Sequence, residues 1–147
     1  MRTKGILTAI VFVATSLTGV VLQTGVAHAE QVVSRDCAGG WIGWAQYKDF
    51  GDNIKMTIRP TKRAWAGIQA GNTLVAGSIW DAYFNCIGWD DGFDRLSQDQ
   101  WSSLWLQHRC HLRLGLLGRL KSGDTFDYES WVPNRGGLWN AVKNKCQ

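Results

Sequence analysis

Proline is scarce in this chain: Pro60 and Pro133 are the only two in 147 residues. Internal repeats and low-complexity tracts are absent too, which excludes solenoids and Pro-rich linkers. No Cys-x-x-Cys occurs, so the common zinc-ribbon and dithiol redox arrangements are excluded. Cys110-His111 lacks the preceding Cys-x-x of a haem attachment site. There is no Gly-x-Ser-x-Gly, no phosphate-binding loop and no zinc-protease motif. A large excess of one charge is missing as well. Of 16 basic side chains, Arg2 and Lys4 lie in a candidate leader, and the remaining 14 face 12 acidic ones, a net charge of +2. That balance supports neither a nucleic-acid partner nor a strongly charged tail.

What is present begins with the leader. Met1 to Lys4 is basic, Gly5 to Val26 carries no charge, and Ala27-His28-Ala29 offers the small-x-small pattern of a signal-peptidase site. The expected organisation is a signal peptide over 1–29, a flexible arm over 30–36 and a disulfide-stapled domain over 37–147. The mature protein would be secreted and extracellular, with no membrane attachment after cleavage.

Cys37, Cys86, Cys110 and Cys146 all fall after the leader. An even count in an exported chain predicts two disulfides. Four cysteines permit three connectivities, and spacing alone does not choose among them.

The elements follow from periodicity. Trp41 to Tyr47 is aromatic-rich and reads as a strand, Phe50-Gly51-Asp52-Asn53 as a turn, and Ile54 to Arg59 alternates with period two until Pro60. A helix starts after Asn72, with Leu74, Val75, Ile79, Trp80, Tyr83, Phe84 and Ile87 as apolar positions and Gly88 as its close. Trp89 to Arg95 reads as an acidic loop. Ser97 with Gln100 forms a capping box for a second helix, whose stripe is Trp101, Leu104, Trp105, Leu112 and Leu116. Thr125 to Val132 is a later strand and Leu138 to Cys146 a last helix. The fold class expected is a small α+β domain: an N-terminal β-hairpin and a later strand packed with about three helices.

Gln107-His108-Arg109-Cys110-His111, then Phe126-Asp127-Tyr128-Glu129-Ser130-Trp131-Val132-Pro133 and a terminal cysteine, with Ile58-Arg59-Pro60-Thr61 earlier, carry a resemblance. The chain from about Trp41 to Cys146 resembles the actinobacterial secreted domain-of-unknown-function family 2599. Phe126 and Ser130 depart from the family's usual Trp and Pro. The resemblance implies secretion from an actinobacterium and assigns no catalytic residue. It also implies pairing of Cys110 with Cys146, which leaves Cys37 with Cys86; the nested alternative is Cys37–Cys146 with Cys86–Cys110.

Candidate chemistry is thin. Nine tryptophans are present. Trp80, Trp101, Trp105 and Trp131 lie on apolar stripes and are expected in the core, whereas Trp65 and Trp89 fall in expected loops and are the candidate contact residues. His108 and His111 are three apart on a helix; without a third nearby carboxylate they make only a weak metal site, and His108 reads as a core histidine. Asp90, Asp91 and Asp94 lack the spacing of a calcium loop. Glu129 with one of them would be a carboxylate pair for glycoside cleavage. The basic groups Lys55, Arg59, Lys62 and Arg63, and Arg109, Arg113, Arg119 and Lys121, read as solvated faces. Val32 and Val33 of the arm favour an extended conformation able to add to the edge of a partner's sheet.

The function expected is therefore a non-enzymatic secreted binding or adaptor module, without cofactor or metal. It would act on another secreted or cell-envelope protein, with glycan as a second partner class, as a component of an extracellular assembly in bacterial competition. The alternatives are a small cell-wall or glycan hydrolase and a secreted protease inhibitor.

Overall fold

The computed structural model describes residues 30–33, 38–87 and 91–147. The leader, Cys37 and Trp89 lie outside the described residues. Four strands form one antiparallel sheet in chain order: β1 (Glu30–Val33), β2 (Ile42–Asp49), β3 (Ile54–Pro60) and β4 (Phe126–Glu129). Five helices accompany it: α1 (Lys62–Gln69), α2 (Leu74–Ile87), α3 (Asp91–Asp94), α4 (Gln98–Leu116) and α5 (Leu138–Lys143). The fold is α+β, as expected.

The hairpin forms where the aromatic and alternating runs place it. Asp49 pairs with Ile54 and Ala45 with Ile58. At the turn, the Gly51 N–H donates to the Asp49 side chain at 2.8 Å, and Gly51 takes φ +82°, a conformation that favours glycine. The register slips between Ile42 and Trp44. The bulge at Gly43 puts Ile42 on the same buried side as Ala45 and Tyr47, an odd step that strict alternation does not allow.

The amino-terminal segment is not a free arm over 30–33. Glu30 pairs with Lys48, Val32 with Gln46 and Val33 with Ala45. The preference of adjacent valines for extended backbone is met inside the molecule, because the open edge of β2 offers N–H and C=O groups on the same chain.

A second correction concerns Trp65. It lies in α1, not in a loop, and is 1 % exposed. Pro60 ends β3, and the Thr61 hydroxyl caps the helix by accepting from the Ala64 N–H at 3.2 Å. Ala64, Trp65 and Ile68 then share the buried side, with the Trp65 ring edge-on to Phe126 at 5.6 Å. Gly115 permits this approach: a Cβ there would stand 2.9 Å from the Trp65 ring.

The main core lies between the sheet and α1, α2 and α4, and centres on Tyr47, Met56, Ile58, Ile79, Tyr83, Leu104, Phe126 and Tyr128. A smaller cluster of Cys110, Leu114, Ala141, Val142 and Cys146 fixes α5 to α4. Cys110 and Cys146 are disulfide-bonded, with Cα atoms 5.5 Å apart. Cys86 on α2 is disulfide-bonded as well. The short α3 replaces part of the expected acidic loop; a Cβ at Gly92 would overlap the Tyr47 hydroxyl.

Candidate functional site

The long helix α4 places its residues on two sides. Ser97 starts it with the capping box: Ser97 Oγ accepts from the Gln100 N–H at 3.3 Å, and the Gln100 side chain accepts from the Ser97 N–H at 2.8 Å. Leu117 follows the last turn and Gly118 takes φ +68°. Between those ends the helix presents one polar side to β4 and a different one outward.

On the inward side, Gln107 bridges to β4. Its amide nitrogen donates to the Glu129 carbonyl at 2.9 Å and to Ser103 Oγ at 3.1 Å, and its oxygen accepts from the Glu129 N–H at 2.9 Å. Ser103 Oγ donates to the Val132 carbonyl at 2.6 Å. His108 is fully buried. Its Nε2 lies 2.9 Å from the Ala76 carbonyl and its Nδ1 2.9 Å from Tyr128 Oη. A carbonyl only accepts, so Nε2 carries the proton and Nδ1 accepts from the tyrosine. Burial pulls the His108 pKa down to about 4, aided by the charge of His111 and opposed by the Ala76 hydrogen bond. Burial also raises the Tyr128 pKa well above its ordinary value, with Tyr83 and Asp127 adding to the shift. The pair is a neutral packing element, as the sequence indicated for His108. His111 Nδ1 lies 2.8 Å from the Gln107 carbonyl, and its ring stacks on Phe126. Among the described residues no group of three or more potential metal ligands comes together.

Glu129 and Asp127 share one lysine. Lys55 Nζ lies 3.1 Å from Glu129 Oε1 and 3.6 Å from Asp127 Oδ2. Partial burial works against the Lys55 charge, but the Glu129 hydrogen bond and the two carboxylates outweigh it and raise its pKa. The trio ties β3 to β4 on the outer face of the sheet.

The outward side of α4 differs in kind. Trp105, Arg109, Leu112, Arg113 and Leu116 face a groove of about 330 Å³, closed on the far side by the α1–α2 connection with Val75 and Ala76, and at one end by Leu138. Trp105 is expected in the core, and its exposure is the third correction; Leu116 of the same stripe is exposed as well. Trp105 is 36 % exposed and Leu116 39 %. The Trp105 ring stacks on His108 at 5.3 Å and meets Trp80 in a T-shaped contact at 5.1 Å, and it lines the groove. Trp131, also expected inside, is 46 % exposed at the far end of the sheet, edge-on to Phe50. Trp139, just beyond Leu138, is more than half exposed and lies under the Arg113 guanidinium at 5.0 Å.

Two guanidiniums enter this groove from one helix side, at positions 109 and 113, one turn apart. No carboxylate lines it, and neither arginine takes part in an ion pair among the described residues. Arg113 Nε is buried without a hydrogen-bond partner. The arrangement is an apolar trough with two cations at its wall, and it can receive an apolar group that carries negative charge.

Of the sequence candidates, Trp65 is core, Val32 and Val33 belong to β1, and Trp89 lies outside the described residues. The groove residues were visible only as an apolar stripe and a basic cluster. The signal for the site was their interleaving: Trp105, Arg109, Leu112, Arg113 and Leu116 at helical spacing. Comparison with protein families, with curated proteins and with solved structures finds no match for this chain.

Proposed function

We propose that this protein is a secreted, non-enzymatic binding module whose contact surface is the groove on the outward side of α4. Its occupant is a segment of another secreted or cell-envelope protein. That segment presents one or two large apolar side chains with a carboxylate about a turn away. Charge complementarity carries the reading: Arg109 and Arg113 line an apolar trough without any acidic neighbour, and a partner carboxylate supplies the missing anion. Arginine suits the role because its planar fork takes a carboxylate bidentately. Trp105 and Trp139 add the rigid aromatic area common at contact surfaces.

Several companion statements belong to the same reading. The first 29 residues act as a cleaved leader, and the second disulfide joins Cys86 to Cys37, the remaining cysteine. The likeness to family 2599 and an origin in a secreted actinobacterial assembly stand with it. No helix among the described residues is long and apolar enough to cross a membrane. A glycan hydrolase is the weaker reading, since Lys55 already engages Glu129 and the nearby Asp127. A protease inhibitor would use the Trp89–Leu96 segment, of which α3 is helical and Phe93 is buried among Tyr47, Tyr83 and Phe84.

Selection of a displayed random-peptide library on the mature protein tests the proposal without knowledge of the partner. The peptides recovered should combine Asp or Glu with a large apolar residue, and should weaken about tenfold or more on Arg109→Glu protein. Recovery of basic or uncharged peptides, or binding that is indifferent to Arg109→Glu, contradicts it.

A further inference from the structure

A second depression lies at the other end of the sheet, where the start of β2, the end of β3 and the start of α1 meet. It encloses about 730 Å³ and shares no lining residue with the α4 groove. Its cations are Arg59, Lys62 and Arg63, all exposed. Its other walls are small: Gly40, Gly43 and Gly123 give it width because no side chain fills the floor. No acidic residue lines it. The nearest carboxylate in sequence, Asp124, accepts from the Lys121 N–H at 2.8 Å within its own turn. None of the three cations forms an ion pair among the described residues.

Two of the cations are held in position. The Arg63 guanidinium lies 4.5 Å over the Trp41 ring and donates from Nη1 to the Gly39 carbonyl at 2.9 Å. The Arg59 guanidinium lies 5.8 Å from the Trp44 ring. Stacking a guanidinium on an indole fixes its plane while leaving most of its edge N–H groups free. The register shift at Gly43 and the cap at Thr61 lie at this hollow, and the Thr61 N–H donates to the Trp41 carbonyl at 3.1 Å. Three cations, two of them pre-oriented and none in an ion pair among the described residues, raise the local concentration of an anion that can meet several of them at once.

From this we infer that the basin is a second binding site, for a phosphodiester polymer of the kind carried on a cell envelope: repeated phosphates joined by small polyols, without bases. The phosphate is indicated by the guanidinium forks together with a lysine point charge, the combination suited to tetrahedral oxyanions. A polymer is indicated by breadth, since the hollow is larger than one phosphate fills. Nucleic acid is disfavoured because binding of single strands relies on free aromatic faces for base stacking, and Trp41 and Trp44 each have an arginine against them. Occupied together with the α4 groove, the site would make the module a tether between an envelope polymer and a protein partner. The basin does not depend on the groove reading.

The test uses the mature protein with poly(glycerol phosphate) as probe, followed by calorimetry. A single-stranded oligonucleotide of matched charge and uncharged dextran serve as comparisons. Binding of poly(glycerol phosphate) is expected, falling about twentyfold as salt rises from about 50 to about 200 mM, because three neutralised phosphates release counterions. The double variant R59Q/R63Q should lose about tenfold or more in affinity while keeping its circular dichroism and both disulfides, and R109Q should bind like the parent. Absence of binding at about 50 mM salt overturns the inference. So does equal binding by the double variant, or an oligonucleotide affinity matching that of the polyol polymer.

Discussion

The two sides of α4 differ in how their polar groups are met. Toward β4, Ser103, Gln107 and His108 each have named partners at 2.6–3.1 Å. Toward solvent, Arg109 and Arg113 stand among Trp105, Leu112 and Leu116 with no carboxylate beside them. An unpaired polar group inside a protein is destabilising, so the first side is completed by folding alone. The second stands in water at Arg109, and under the proposed function a partner's carboxylate meets it.

Substitutions that break the inward side should have the largest effects. His108→Ala removes a fully buried ring and orphans both the Tyr128 hydroxyl and the Ala76 carbonyl. Loss of stability by about 3–5 kcal/mol is expected in urea unfolding. Acidification acts on the same residue. In the unfolded chain a histidine titrates near 6.5, whereas folded His108 stays neutral down to about 4. Between those values the unfolded state binds more protons. Stability is thus full above about pH 6.5 and falls as pH drops toward 4, by about 3 kcal/mol from this residue. His111 is shifted downward as well, mainly by burial, and adds in the same direction. The change in unfolding midpoint between pH 7 and pH 4 measures this, and the His108→Ala background should flatten most of it.

The outward side should respond in the opposite manner. Arg109→Gln ought to leave unfolding stability within about 0.5 kcal/mol, as befits an exposed group without a partner.

How much of this was legible in the sequence depends on how local the signal is. The hairpin and the capping box at Ser97 and Gln100 follow from period and cap chemistry, and both are present. The pairing of Cys110 with Cys146, which the family likeness implied, is present too. Helix α1 was missed because eight residues containing Gly67 hold too few apolar positions to display a period; the cue was Thr61 behind Pro60, a strand stop followed at once by a helix cap. The fate of residues 30–33 turned on an edge of β2 that exists only once the hairpin has formed. Trp105 shows the harder limit. Its place on the stripe is right, but the stripe is wider than the core it meets, and its exposure is decided only by the packing of Trp80 and His108 against the ring. The groove was likewise written in the sequence as two overlapping patterns, one apolar and one basic, and their combined meaning requires knowing what stands opposite.

The most direct measurement of the central claim is a backbone amide chemical-shift map of the isotope-labelled mature protein titrated with an acidic peptide from the displayed-library selection. The shifted residues should cluster on Trp105, Arg109, Leu112, Arg113 and Leu116 and on the facing Asn72 to Ala76. Amides of β2 and β3 should remain in place. Shifts centred instead on the sheet, or scattered without a cluster on the outward side of α4, would contradict it.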